Sequence, residues 1–114
     1  MPSGVATPTI ANNPVAHSYV SNGVQFALNM PFVPSAVHYW GGSESWAWAR
    51  GLPFGQAYGT TTLIATAAVL DFLDGSGLAS ANVATTTTVI GLLIGTSTTV
   101  NPGSALQYRG LIYR

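Results

Sequence analysis

Turn-forming residues recur along this chain and break many of its β-rich runs into strand lengths. Asn22-Gly23, Gly41-Gly42, Asp74-Gly75-Ser76-Gly77 and Asn101-Pro102-Gly103-Ser104 all combine residues that accept positive φ or preset a corner. Several of the runs between them are rich in Val, Ile, Thr and aromatic residues, which fit a pleated, half-buried surface. Short strands with regular turn signals predict an all-β fold, either a small antiparallel β-barrel or a β-tulip or sandwich. A chain of 114 residues is long enough to bury one such core without staples.

The segment 1–16 carries Pro2, Pro8 and Pro14 among Thr, Ala and Asn, and is expected to form an extended N-terminal arm on a single β domain over 17–114. Ser18-Tyr19-Val20-Ser21 and Val24-Gln25-Phe26-Ala27-Leu28 flank Asn22-Gly23, predicting a type I′ hairpin with Ser21 opposite Val24 and Tyr19 opposite Phe26. Two further strands, 37–40 and 45–50, are expected around Gly41-Gly42, with Trp46 and Trp48 on one face. The stretch 60–73 fits either a strand or a helix: Leu63, Ala67 and Leu70 make a helical stripe, whereas the three opening threonines favour extension. As a strand it forms a four-residue hairpin loop that sets Leu73 opposite Leu78. Strands are also expected at 85–90, continuing through Gly91-Leu92-Leu93-Ile94, and at 105–113. In the last, Leu106 and Tyr108 share one face, Gln107 and Arg109 the other, after a type II turn at 101–104.

Charge narrows the function classes. Arg50, Arg109, Arg114, Glu44, Asp71 and Asp74 are the only charged side chains, 5% of the residues against about 25% in typical domains. There is no lysine and the net charge is zero, so nucleic acid is not an expected partner. The apolar stretches at 63–73 and 89–94 are broken by Thr66, Asp71 and Gly91, far short of the roughly 18 residues of a membrane-spanning helix. No basic and apolar leader follows Met1, so export by the usual signal is not expected. Near-zero charge favours association, which suits a subunit of an assembly.

No catalytic set emerges. Without cysteine there is no disulfide, thiolate metal site or cysteine nucleophile, and His17 and His38 lack any metal-binding spacing. No Gly-x-Ser-x-Gly elbow or phosphate-binding loop is present, and Asp71 and Asp74, three apart, fall on opposite faces of a strand. The expectation is a protein that is not an enzyme and holds no cofactor or metal. The candidate interaction residues are Pro2, Pro8 and Pro14 of the arm and Tyr39, Trp40, Trp46 and Trp48, in an aromatic set that also includes Phe54 and Tyr58. Aromatic residues of this kind serve the core, an inter-subunit contact or sugar stacking.

The order of signals after residue 65 resembles a known family. Val69-Leu70-Asp71-Phe72-Leu73-Asp74-Gly75-Ser76-Gly77 is followed by Ala79-Ser80-Ala81 and Thr88-Val89-Ile90-Gly91-Leu92-Leu93-Ile94. Val100-Asn101-Pro102-Gly103 and a closing strand with Gly110-Leu111-Ile112 come next. This pattern is similar to the small β-rich head decoration, or capsid cement, proteins of tailed bacteriophages. The resemblance implies a β-barrel or β-tulip subunit, often a homotrimer, on the outer capsid surface of the virion. There it clamps copies of the major capsid protein, with an N-terminal arm reaching over a neighbour. The Trp-rich segment 37–58 has no counterpart in that pattern. A carbohydrate-binding or fibre module using 39–58, or a self-assembling coat or filament subunit, are the alternative roles.

Overall fold

A computed structural model describes residues 14–42, 44–65, 67–77 and 88–114. Among these residues there are nine strands and no helix: β1 (Val15–Val20), β2 (Phe26–Asn29), β3 (Ala36–Gly41), β4 (Trp46–Ala49), β5 (Ala57–Tyr58), β6 (Leu63–Ile64), β7 (Val69–Asp74), β8 (Ile90–Ile94) and β9 (Gln107–Tyr113). They form a six-stranded sheet in the order β1-β9-β3-β4-β5-β6 and a three-stranded sheet in the order β2-β8-β7, all pairs antiparallel. The all-β expectation holds. No strand pairing joins the two sheets into a closed barrel among the described residues, and both contribute to one core.

That core forms because the strands alternate. Val37 and Tyr39 of β3, Trp46 and Trp48 of β4, and Tyr108 and Ile112 of β9 point inward from the large sheet. Leu28, Val69, Leu92 and Ile94 meet them from the small one. Trp46 is 1% exposed and Tyr39, Tyr108 and Ile112 are fully covered; each large side chain contributes about 1.5–3 kcal/mol by burial. Gly110 lies between His17 and Tyr39 in the strand register, where an added Cβ would stand 2.0 Å from the His38 carbonyl oxygen and 2.8 Å from the Tyr39 ring. Only glycine leaves room there for the ring.

The expected hairpin about Asn22-Gly23 does not form. β1 pairs with β9 and β2 with β8, so this segment carries the chain from one sheet to the other. The reason lies in Asn101, which is fully buried. Its Oδ1 accepts from the Asn22 and Gly23 amides at 2.7 and 3.1 Å, and its Nδ2 donates to the Val24 and Gly95 carbonyls at 2.7 and 2.9 Å. Gly23 takes the expected positive φ of 76°, and a Cβ there would sit 2.8 Å from the Gly103 Cα. Tyr19 stacks on Tyr108 at 4.8 Å; its contact with Phe26, at 6.4 Å, is made between sheets rather than along a ladder.

One open alternative is decided and two other expectations change. The stretch 60–73 resolves as β6 and most of β7, with Ala67 at φ 53° in the bend between them. Leu73 pairs with Gly91 of β8 rather than opening a short hairpin onto Leu78, which lies outside the described residues. The type II turn at 101–104 is absent, because Gly103 does not adopt positive φ. The chain instead turns at 97–101: the Asn101 amide donates to the Ser97 carbonyl at 2.7 Å, and Ser97 Oγ accepts from the Thr99 and Val100 amides. The β3–β4 hairpin through Gly41 and Gly42 and the face alternation of β9 are as expected. β1 takes in Val15 and Ala16, the last two residues of the segment expected to be arm.

Candidate interaction surface

The two faces of the large sheet differ in kind. On the inner face the aromatic side chains are tied by hydrogen bonds. The Trp46 indole donates to the Tyr19 hydroxyl at 2.8 Å, which donates to the Val100 carbonyl at 2.7 Å. Tyr108 donates to the Thr99 carbonyl at 2.5 Å. His17 Nε2 lies 2.8 Å from the Asn29 carbonyl, an acceptor only, so that nitrogen carries the proton and Nδ1 accepts from the Tyr39 hydroxyl at 2.7 Å. This chain stitches β1 to the end of β2 across the two sheets. Burial pushes the hydroxyls of Tyr19 and Tyr39 well above the ordinary tyrosine range; for Tyr19 the Trp46 hydrogen bond opposes the shift without cancelling it.

The outer face follows from the same alternation, one residue out of step. Register places Ala16, Leu111, His38, Ala47, Tyr58 and Leu63 in one row across all six strands. At ~4.8 Å per strand the row is about 24 Å long. Beside it, Ser18, Arg109 and Trp40 form a second row. Trp40, Tyr58 and Leu63 are 46%, 53% and 45% exposed. Trp40 packs on His38 with ring centroids 4.1 Å apart. Neither Trp40 nor Tyr58 makes a side-chain hydrogen bond among the described residues, in contrast to the tyrosines beneath them. Arg109 is the only charged residue in either row, since Arg50 and Arg114 lie over the rings of Phe72 and Phe32 at 5.1 and 4.8 Å.

The residues singled out from the sequence are therefore divided. Tyr39, Trp46 and Trp48 are in the core and present no surface to a partner, because odd positions of β3 and even positions of β4 face inward. Trp40 is on the outer face. Pro14 is exposed immediately before β1, and Pro2 and Pro8 lie outside the described residues. Leu63, Leu111 and Arg109 belong to the surface although sequence reasoning did not place them there. The alternation of Gln107 and Arg109 against Tyr108 was the available signal for one of them.

His17 is committed to Tyr39 and Asn29, and Asp74 accepts from the Ser76 amide at 2.9 Å, which holds its carboxyl below the usual range. Glu44 accepts from the Thr60 amide at 3.3 Å, steadying the 59–62 turn. Among the described residues no three His, Asp or Glu side chains gather as a metal site would require. No family model, curated protein or solved structure matches this chain.

Proposed function

We propose that this chain is a structural subunit of a protein shell, a decoration protein of a tailed-bacteriophage head, whose large sheet lies with its outer face against the major capsid protein and neighbouring copies. The observation that carries this reading is the row Ala16, Leu111, His38, Ala47, Tyr58 and Leu63, apolar but for His38 and flanked by Trp40. Contiguous apolar surface of this extent marks an interaction site more often than a solvated face. The chain's 5% charge gives it few means of keeping such a face dispersed in water. The resemblance of the sequence after residue 65 to capsid decoration proteins favours a shell as the partner. A subunit that binds only the assembled shell stabilises it by mass action, without chemistry.

The test is co-sedimentation of the purified protein with shells assembled from a tailed-phage major capsid protein. Wild-type protein is expected to saturate the shells, and the double variant Trp40→Ala, Tyr58→Ala to lose affinity about tenfold or more, as exposed aromatic anchors do. Wild-type protein that fails to sediment with shells would overturn the proposal. If glycans quench Trp40 fluorescence while shells leave it unchanged, the carbohydrate-binding role takes its place. Polymerisation of the protein alone would favour the coat or filament role.

A further inference from the structure

Four strands lie at sheet edges, and three are blunted in recognisable ways. β6 has only two residues. β2 has four, and His17 occupies the Asn29 carbonyl at its end. β7 carries Asp71 and Asp74 and a bulge between Val69 and Asp71. β1 is different: Val-Ala-His-Ser-Tyr-Val runs six residues with no charged residue, no proline and no bulge in its register with β9. Its Val15 and Val20 are 40% and 48% exposed.

The hydrogen-bond phase of this edge can be read from its continuation. The Ser21 amide donates to the Leu106 carbonyl at 3.0 Å, one step beyond the Val20–Gln107 pair. On the other side of β9, the Gly42 amide donates to the Gln107 carbonyl. Even-numbered residues of β9 therefore serve β1, and the odd-numbered residues of β1 face them. Ala16, Ser18 and Val20 consequently aim their amides and carbonyls away from the sheet, and no described residue receives them. Pro14 occupies the next outward position and has no amide, while the Asn22 amide is taken by Asn101. The open ladder thus has defined ends.

We propose that the β1 edge pairs with β1 of a second copy, antiparallel about a two-fold axis through Ser18. In this register Ser18 faces Ser18 of the other copy and Ala16 faces Val20, giving about six backbone hydrogen bonds. The opposed residues are small or apolar, so the edge is complementary to itself, as a two-fold contact requires. Because paired positions differ by an even number, like faces meet. Two six-stranded sheets become one, and their apolar outer faces become a single surface. This pairing is independent of what covers that surface, and it joins copies in twos, whereas the family resemblance implies threes.

Sedimentation equilibrium of the full chain is expected to show a two-copy species that grows with concentration. Ser18→Pro removes one outward amide per copy without touching the β9 ladder, and Ser18→Lys sets like charges opposite each other. Each should weaken association about tenfold or more, a loss of about 1.4 kcal/mol, with the thermal midpoint of the monomer unchanged for Ser18→Lys. As the chain has no cysteine, spin labels on Ser18→Cys and Val20→Cys report the register, and the label at 18 should give the shorter distance. A monomer at every concentration, an association insensitive to Ser18→Lys, or a shorter distance at position 20 would each overturn the proposal.

Discussion

The inner and outer faces of the six-stranded sheet are built from the same strands and similar residue types, yet their aromatic side chains serve different ends. Tyr19, Tyr39, Trp46 and Tyr108 are covered and hydrogen-bonded to defined partners, so each is held in one geometry. Trp40 and Tyr58, on the other side of the pleat, are about half exposed. The inner set resists substitution because a buried polar atom left without its partner costs its full desolvation. The outer set contributes little until another surface excludes water from it. Residue type alone does not separate the inner face from the outer one here; the parity of the position does.

The sharpest way to break this contrast is to attack the inner network at the residue that joins the two sheets. Asn101→Ala removes the side-chain partner of two amides and two carbonyls at part-buried and buried positions. It should cost about 3 kcal/mol or slightly more, read as a fall in the urea midpoint without a change in slope. A loss below about 1 kcal/mol would mean that the 22–24 connection is held by something else.

Alkaline pH probes the same face without mutation. Tyr19 and Tyr39 have folded-state pKa values above that of the unfolded chain, so their contribution is fully present below about pH 10 and is lost as pH rises further, because the unfolded state releases protons that the folded state keeps. Near pH 11 the two together should cost about 3 kcal/mol. Phenolate absorbance from these residues should rise only with unfolding. Tyr19→Phe comes next: it leaves the Trp46 indole and the Val100 carbonyl unpartnered and should cost about 2 kcal/mol in thermal unfolding. On the outer face, Trp40→Ala and Tyr58→Ala should each change monomer stability by less than about 0.5 kcal/mol, measured at a concentration too low for association. A larger effect would place them in the fold rather than at an interface.

What was legible in the sequence follows a physical line. The β3–β4 hairpin closes over a few residues, so Gly41 and Gly42 and the alternation of Trp46 and Trp48 suffice to describe it. Asn22-Gly23 misleads because turn chemistry specifies backbone angles and not a partner. Gly23 adopts its positive φ, but Asn101, 78 residues away, decides where the strands go. The turn before β9 was misplaced for a related reason: Ser97 supplies a side-chain acceptor two and three residues ahead, which satisfies the backbone earlier than the Pro-Gly pair would. For the site, alternation put Trp46 and Trp48 on one face but did not say which face the second sheet covers. That choice depends on β2, β7 and β8 packing from far along the chain.

Tryptophan quenching tests the covered-face account most directly. Trp40 is 46% exposed, whereas Trp46 and Trp48 are 1% and 5% exposed, so a neutral quencher should reach only one of the three in the dilute protein. On shells saturated with the protein, that accessible component should vanish while the two buried tryptophans stay dark to the quencher. If Trp40 remains as quenchable on the shell as it is free, the outer face of the large sheet is not what the shell covers.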